Sequence, residues 1–151
     1  MSTNDRDIVL IAYDGSEHAK EAIARAGREL RTGRPAVVLT VWNPLESMPF
    51  AGVGAVTFST EVDEGFIKQA EETAQEGAEL AVKAGFDATT RVERTGGPLW
   101  RSIVNVADEL EPGVVVMGSH GRSGVGLALM GSVATGVAHH VKRPVLISSK
   151  R

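Results

Sequence analysis

The chain has 151 residues, of which 42% are apolar and 23% are charged, and its formal net charge is −3. This size and composition are typical of one globular domain with a substantial core, and the acidic balance argues against nucleic acid as a main partner. No apolar run approaches the roughly 20 residues of a membrane-spanning helix, and the absence of cysteine excludes disulfides and thiolate metal sites.

The polar segment 1–7 lacks the apolar core of a signal peptide, so we expect a cytoplasmic protein.

The predicted strands are short. Four apolar runs follow along the chain, at residues 8–12, 37–41, 114–117 and 145–147. These runs are rich in β-branched residues and do not alternate, which predicts strands covered on both faces, as in parallel sheets. Segment 88–94 alternates polar and apolar residues, which predicts a half-exposed edge strand.

Four helical patterns lie between the strands. Their spans are residues 16–30, 66–85, 98–110 and 132–141. Ser16 is a favoured N-cap, Pro98 is suited to the first turn of the third helix, Gly85 is a favoured stop, and Pro144 prevents the fourth helix from continuing. The order βαβαβαβαβ predicts a single α/β domain, an open doubly wound parallel sheet with helices on both faces.

The segment 43–60 fits no regular element. It is rich in proline, glycine and small residues, yet it also carries several large apolar side chains. We weigh two interpretations: a flap over a ligand, and a surface loop packed onto the core.

A glycine-rich loop follows the fourth predicted strand. The sequence Gly118-Ser119-His120-Gly121 is separated by nine residues from Gly131-Ser132, where a helix begins. Backbone N–H groups in such a loop, together with the helix N-terminus, form a suitable site for phosphate. Glycines also serve tight turns and close packing, and Ser132 is also a good N-cap without any ligand.

These residues reproduce the pattern G-x2-G-x9-G-[S/T], and the chain resembles the universal stress protein family over essentially its whole length. Three further segments agree with the family, namely Tyr13-Asp14-Gly15-Ser16, Gly97-Pro98 and Arg143-Pro144-Val145-Leu146. Gly113 departs from it, because many members have aspartate there. The resemblance implies a five-stranded Rossmann-like sheet in the order 3-2-1-4-5, a homodimer, and ATP binding.

In that strand order, the first and fourth strands are neighbours at the point where the order reverses, which is where open α/β sheets bind ligands. Asp14 is therefore expected in the crevice, either as a turn residue or facing ribose hydroxyls or a bridging Mg²⁺ or Mn²⁺ ion. The resemblance implies that Asp14 lies against the nucleotide and that the backbone of Val41 contacts adenine.

The remaining candidates surround these two residues. Ala12, Tyr13 and Met117 would supply apolar surface around base and sugar, although Ala12 and Met117 also suit the core. Arg122 would offset phosphate charge or simply be solvated. The complete set of expected nucleotide contacts is Ala12, Tyr13, Asp14, Val41, Met117, Gly118, His120, Gly121, Arg122, Gly131, Ser132 and Val133.

We therefore expect a dimeric ATP-binding regulatory protein that acts through a conformational or partner-binding change, with its subunits paired through the apolar strand 145–147. The sequence has no evident nucleophile, Walker lysine or acid–base dyad. The alternatives are an ATP hydrolase that uses Mg²⁺ on Asp14, with or without His120 as a base, a dimerisation module with an empty pocket, and a binder of AMP or a flavin.

Overall fold

The computed structural model describes residues 7–44, 60–121 and 130–149. Within these ranges, parallel strands alternate with helices. The elements in chain order are β1 (Val9–Ala12), α1 (Glu17–Glu29), β2 (Pro35–Trp42), α2 (Thr60–Lys83), β3 (Asp87–Arg94), α3 (Leu99–Leu110), β4 (Val114–Gly118), α4 (Ser132–His140) and β5 (Val145–Ser148). The strands form one parallel sheet in the order β3-β2-β1-β4-β5. The predicted α/β class and strand order are confirmed.

Two apolar layers cover the two faces of this sheet. Side chains such as Val9 and Ile11 pack with α1 and α2 on one face. Their neighbour Leu10, together with Val115, packs with α3 and α4 on the other. Because both faces are covered, a ligand can reach the central strands only at their ends.

Helix α2 covers its side of the sheet with small residues. Its buried face is formed by Ala70, Ala74, Gly77, Ala78 and Ala81. The helix has 24 residues, but no helix within the described ranges combines sufficient length and apolar character to cross a membrane. The helix ends at Lys83, and Gly85 follows with a φ of 106°, a value that favours glycine.

The structure corrects several predicted boundaries. Strand β2 begins at Pro35, because it pairs with β3 along its whole length, from Pro35 beside Asp87 to Trp42 beside Arg94. The apolar-run criterion detected only the centre of that ladder. Pro98 is the N-cap of α3 and not its first helical residue, since its ψ of 138° is extended. The segment 45–59, most of the stretch for which a flap and a surface loop were both considered, lies outside the described residues.

Strand β3 is the half-exposed edge strand that its alternation predicted. Thr89 and Thr90 are exposed. Arg91 donates hydrogen bonds to Glu109 on α3 at 2.6 Å and to Glu93 at 2.8 Å. Both bonds raise the pKa of the guanidinium, and the bond to Glu109 has the larger effect. A charged edge resists pairing with another sheet.

Helices α3 and α4 touch at a glycine. A Cβ atom built at Gly136 would lie 2.3 Å from Cγ of Trp100, far inside van der Waals contact. The indole also stacks on His140, with ring centroids 4.1 Å apart, and the Nδ1 of that imidazole lies 2.8 Å from the Gly136 carbonyl oxygen. Gly136 is therefore required for helix packing.

This contact predicts opposite effects for two Gly→Ala substitutions in helices. Gly136→Ala should lower the free energy of unfolding by about 1–3 kcal/mol, because the methyl group overpacks against Trp100. Gly65→Ala in α2 should raise it by about 0.5–1 kcal/mol, since nothing lies within 4 Å of the new methyl group. Urea denaturation measures both, and equal effects would contradict the packing assignment.

Candidate functional site

The turn between β1 and α1 holds Asp14 at the carboxyl end of the sheet. Its Oδ1 accepts a hydrogen bond from the Ser16 N–H at 2.9 Å, and Gly15 between them has a φ of 82°. The Ser16 hydroxyl caps α1 by accepting from the Ala19 N–H at 3.2 Å. The buried hydroxyl of Thr40 on β2 donates to the Tyr13 carbonyl at 2.9 Å, which fixes the start of the turn.

The glycine-rich loop begins and ends at nearly the same place. The Ser119 N–H donates to the Ser148 carbonyl on β5 at 2.9 Å, and the Gly131 N–H donates to the Ser119 carbonyl at 2.7 Å. The prediction that the glycine N–H groups point at a ligand is therefore wrong for Gly131, because its N–H closes the loop. Arg122 lies outside the described residues, with the rest of segment 122–129.

The N-terminus of α4 has no side-chain cap among the residues that the structure describes. Gly131 is the N-cap, with extended angles of −71° and 167°, and it has no side chain to offer. The predicted role of Ser132 as N-cap is wrong, because Ser132 is the first residue inside the helix. Its side chain is exposed, and the N–H groups of Ser132 and Val133 stand in the first turn, where anions bind.

The β1–α1 turn and the glycine-rich loop after β4 meet, as the strand order predicts. A Cβ atom built at Gly121 would lie 2.8 Å from Oδ2 of Asp14. The Ser16 hydroxyl donates to the His120 carbonyl across 3.5 Å. A Cβ atom at Gly131 would lie 3.3 Å from the Ser119 carbonyl oxygen and 4.0 Å from Cδ2 of His120. The turn carboxylate, the His120 ring and the start of α4 thus share one end of the sheet.

Two of the predicted contacts have side chains that belong to the core. Tyr13 is 2% exposed, its ring lies against Gly77 of α2, and its hydroxyl donates to Glu76. The prediction that this ring adds apolar surface around a ligand is wrong, because the ring faces the α1–α2 layer. Met117 is 4% exposed and lies in the opposite layer. Either residue can reach a ligand only through its backbone.

Three smaller candidates line the α3–α4 side. Ala12, Val41 and Val133 are partly buried and pack against the apolar layer between the sheet and these helices. Ala12 ends β1 and Val41 is the penultimate residue of β2, so both lie at the same end of the sheet as Asp14. Their partly exposed side chains can offer apolar surface there.

Gly118 serves packing directly. A Cβ atom at this position would lie 2.7 Å from the His18 carbonyl carbon and 2.8 Å from the Ala19 nitrogen. The first turn of α1 therefore lies against the end of β4, and only glycine leaves room for it. The interpretation of the glycines as packing residues is correct at this position, whereas Gly121 and Gly131 border the crevice.

Two polar residues beside His120, namely Ser119 and His18, were not predicted as site residues. Ser119 is 3% exposed, and its hydroxyl oxygen lies 2.9 Å from Nδ1 of His120 and 3.4 Å from Nδ1 of His18. The centroids of the two imidazole rings are 5.1 Å apart. His18 and Ser119 are 101 positions apart. Strand adjacency was the only signal that could have brought them together.

Within the described ranges, no three histidine, aspartate or glutamate side chains cluster as a metal site. A divalent cation at this edge would therefore rest on Asp14 and on oxygen atoms supplied by a ligand. That arrangement is common for Mg²⁺, which usually keeps several waters and one or two carboxylates beside substrate phosphates.

A profile of the universal stress protein family matches residues 6–149. The chain belongs to this family. A universal stress protein of Thermus aquaticus, encoded in the 3′ region of a QAH/OAS sulfhydrylase, is 30% identical over 145 residues, with 92% of this chain and 96% of the relative covered.

Solved universal stress proteins share the fold. One from Archaeoglobus fulgidus in complex with dAMP is 25% identical, with a TM-score of 0.65 and coverage of 93% of this chain and 95% of that one. Another, in complex with cAMP, is 24% identical, with a TM-score of 0.63 and coverage of 94% and 95%. Both superpose along nearly the whole chain.

The different surroundings of Gly118 and Gly131 in this universal stress protein predict different effects on stability without ligand. Gly118→Ala should lower the free energy of unfolding by about 1–3 kcal/mol, because the methyl group meets the backbone of α1. Gly131→Ala should cost about 1 kcal/mol or less, since it combines the weaker capping preference of alanine with a milder approach, 3.3 Å from the Ser119 carbonyl oxygen. Chemical denaturation of the ligand-free variants checks this; a larger loss for Gly131→Ala would contradict it.

Proposed function

We propose that this universal stress protein binds ATP at the carboxyl ends of β1 and β4 and acts as a regulatory protein. The observation that carries the proposal is the meeting of Asp14, His120 and the uncapped start of α4 at the point where the strand order reverses. Open α/β sheets bind nucleotides at such a crevice. The dAMP and cAMP complexes of its relatives support an adenine nucleotide as the ligand.

The phosphates would lie at the first turn of α4. The N–H groups of Ser132 and Val133 and the positive end of the helix dipole favour an anion there. The exposed Ser132 hydroxyl adds a donor, and Gly121 leaves space beside Asp14 for the chain of phosphates. In this proposal Arg122 adds positive charge from the loop.

The nucleoside would extend along the strand ends. Asp14 would face the ribose hydroxyls or hold Mg²⁺ or Mn²⁺ together with the phosphates, because an unbridged carboxylate would repel them. The main chain of Val41 would contact adenine, with Ala12 providing apolar surface. Tyr13, Met117 and Gly118 would contribute through their backbone, because the side chains of the first two are buried and Gly118 has none.

Binding in this crevice would join two segments that are far apart in sequence. The ligand would contact the β1–α1 turn through Asp14 and the start of α4 through Ser132. We propose that a partner protein recognises the nucleotide-bound state, in which these two segments are joined, and that turnover of the nucleotide is not required.

The first test is ATP binding by three proteins in the presence of Mg²⁺. The wild type should release heat in a calorimetric titration and melt at a higher temperature, with a stabilisation of about 2.7 kcal/mol at a hundredfold excess over the dissociation constant. Gly131→Val should abolish binding by placing a branched side chain against the phosphates. Ser132→Ala should lose about 0.5–1.5 kcal/mol of binding free energy with the hydroxyl.

Melting curves without ATP provide the control. Ser132→Ala should melt like the wild type, because Gly131 and not Ser132 caps α4. If Gly131→Val folds normally and still binds ATP with wild-type affinity, the phosphates do not lie at the start of α4. If the wild type shows neither heat nor a shifted melt at millimolar ATP, the proposed function is wrong.

We also propose that two copies pair through β5. This strand is an edge of the sheet, and Val145, Leu146 and Ile147 are only partly buried. The carbonyls of Pro144 and Ser148 accept bonds from β4, so the backbone groups of Val145 and Ile147 point to the free edge. An apolar edge with outward donors invites an antiparallel partner, and a two-fold dimer would cover it.

A single backbone donor tests this pairing. Ile147→Pro removes an N–H that faces the free edge and spares the bonds to β4, so it should convert a dimer to a monomer in light scattering. Ile147→Ala removes more of the side chain but keeps the N–H, and it should remain dimeric. A monomeric wild type at micromolar concentration, or a dimer that survives Ile147→Pro, would exclude pairing through this edge.

A further inference from the structure

Three side chains form a continuous hydrogen-bonded chain beside the start of α4. The Ser119 hydroxyl lies between Nδ1 of His18 and Nδ1 of His120, at 3.4 Å and 2.9 Å. The Cδ2 edge of the His120 ring, which carries Nε2, faces Gly131 at a distance of 4.0 Å from its Cβ position. The chain therefore runs from α1 to His120, just beyond the end of β4, and the His120 ring lies beside the N-cap of α4.

The hydrogens on these groups allow two arrangements of donors and acceptors along the chain, which run in opposite directions. A hydroxyl has one hydrogen, and a neutral imidazole has one N–H. In the first direction, His18 Nδ1–H donates to Ser119, which donates to Nδ1 of His120; the proton of His120 is then on Nε2. In the second direction every bond is reversed, and Nε2 of His120 is a bare acceptor.

An anion distinguishes between these two arrangements. With the proton on Nε2, His120 offers a donor on the ring edge that faces Gly131; with the proton on Nδ1, it offers a lone pair that repels an anion. Two backbone hydrogen bonds fix the position of Ser119. Its N–H donates to the Ser148 carbonyl, and its carbonyl accepts from the Gly131 N–H. The residue that closes the loop thus also orients the imidazole.

We propose that His18 and Ser119 are positioning residues that support His120 in its Nε2–H form, so that His120 donates a hydrogen bond to a nucleotide phosphate at the start of α4. This inference rests on the proposed function, because the phosphate recognised by that site selects the direction of the chain in which Ser119 donates to Nδ1 of His120 and accepts from His18. His18 acts only through Ser119 and touches no ligand.

The first measurement is the tautomer of His120 in the ATP complex. Nitrogen-15 chemical shifts recorded at a pH of about 8, where histidine is ordinarily neutral, should show Nε2 protonated and Nδ1 bare. His18 should have the opposite form, with its proton on Nδ1. A proton on Nδ1 of His120 in a protein that binds ATP would overturn this inference and leave the proposed function intact.

The second measurement compares ATP with adenosine, which has no phosphate. Ser119→Ala should weaken ATP binding by about 2- to 13-fold, the equivalent of one hydrogen bond, and should leave adenosine binding unchanged. The matched control Ser149→Ala, at an exposed serine after β5, should change neither. Equal losses for ATP and adenosine would mean a merely structural role and would overturn the proposal.

Two conservative substitutions complete the test. His18→Asn retains a side-chain N–H near the position of Nδ1 and should bind ATP more tightly than His18→Ala. His120→Gln retains a donor near the position of Nε2, and in that background Ser119→Ala should have no further effect. Additive losses in the double variant would overturn the chain, and a wild type that does not bind ATP would overturn both this inference and the proposed function.

Discussion

The pairing of β1 with β4 is the constraint on which the candidate site depends. The two strands are more than 100 positions apart in sequence, yet Val9, Leu10 and Ile11 lie directly beside Val114, Val115 and Val116. Helices cover both faces of this pair, so only its ends remain accessible. Asp14 and His120, one just beyond each strand, meet there because the strands are parallel and in register.

The glycines of the chain meet two separate physical requirements. At Gly118 and Gly136 a Cβ atom would collide with a neighbouring helix, so these residues allow the layers to approach. Gly121 lies beside the turn carboxylate, and Gly131 lies beside the loop backbone and the His120 ring, so these two glycines border the crevice. One spacing pattern thus combines packing and site residues, which is why it could not be interpreted from glycine content alone.

Apolar runs, the alternation in segment 88–94 and helical periodicity predicted the elements that the structure describes, because strand burial and helix amphipathicity depend on local sequence. The strand order came from the family resemblance. Local patterns could not place the Tyr13 ring under α2 or bring His18 to Ser119, because both contacts depend on tertiary packing. The cap of α4 was misassigned for a related reason: Ser132 has the preferred chemistry, but the loop closure by Gly131 decides where the helix begins.

Ser119 connects the two proposed interactions of the protein. Its carbonyl holds the start of α4, where the phosphates would bind, and its N–H holds Ser148 at the end of β5, where the partner would pair. A ligand at the start of α4 would act on Ser119 through the Gly131–Ser119 hydrogen bond, and its effect would reach the dimer edge through the Ser119–Ser148 hydrogen bond. Nucleotide binding and assembly are therefore expected to be linked through this residue, and by reciprocity dimerisation would in turn favour the ligand.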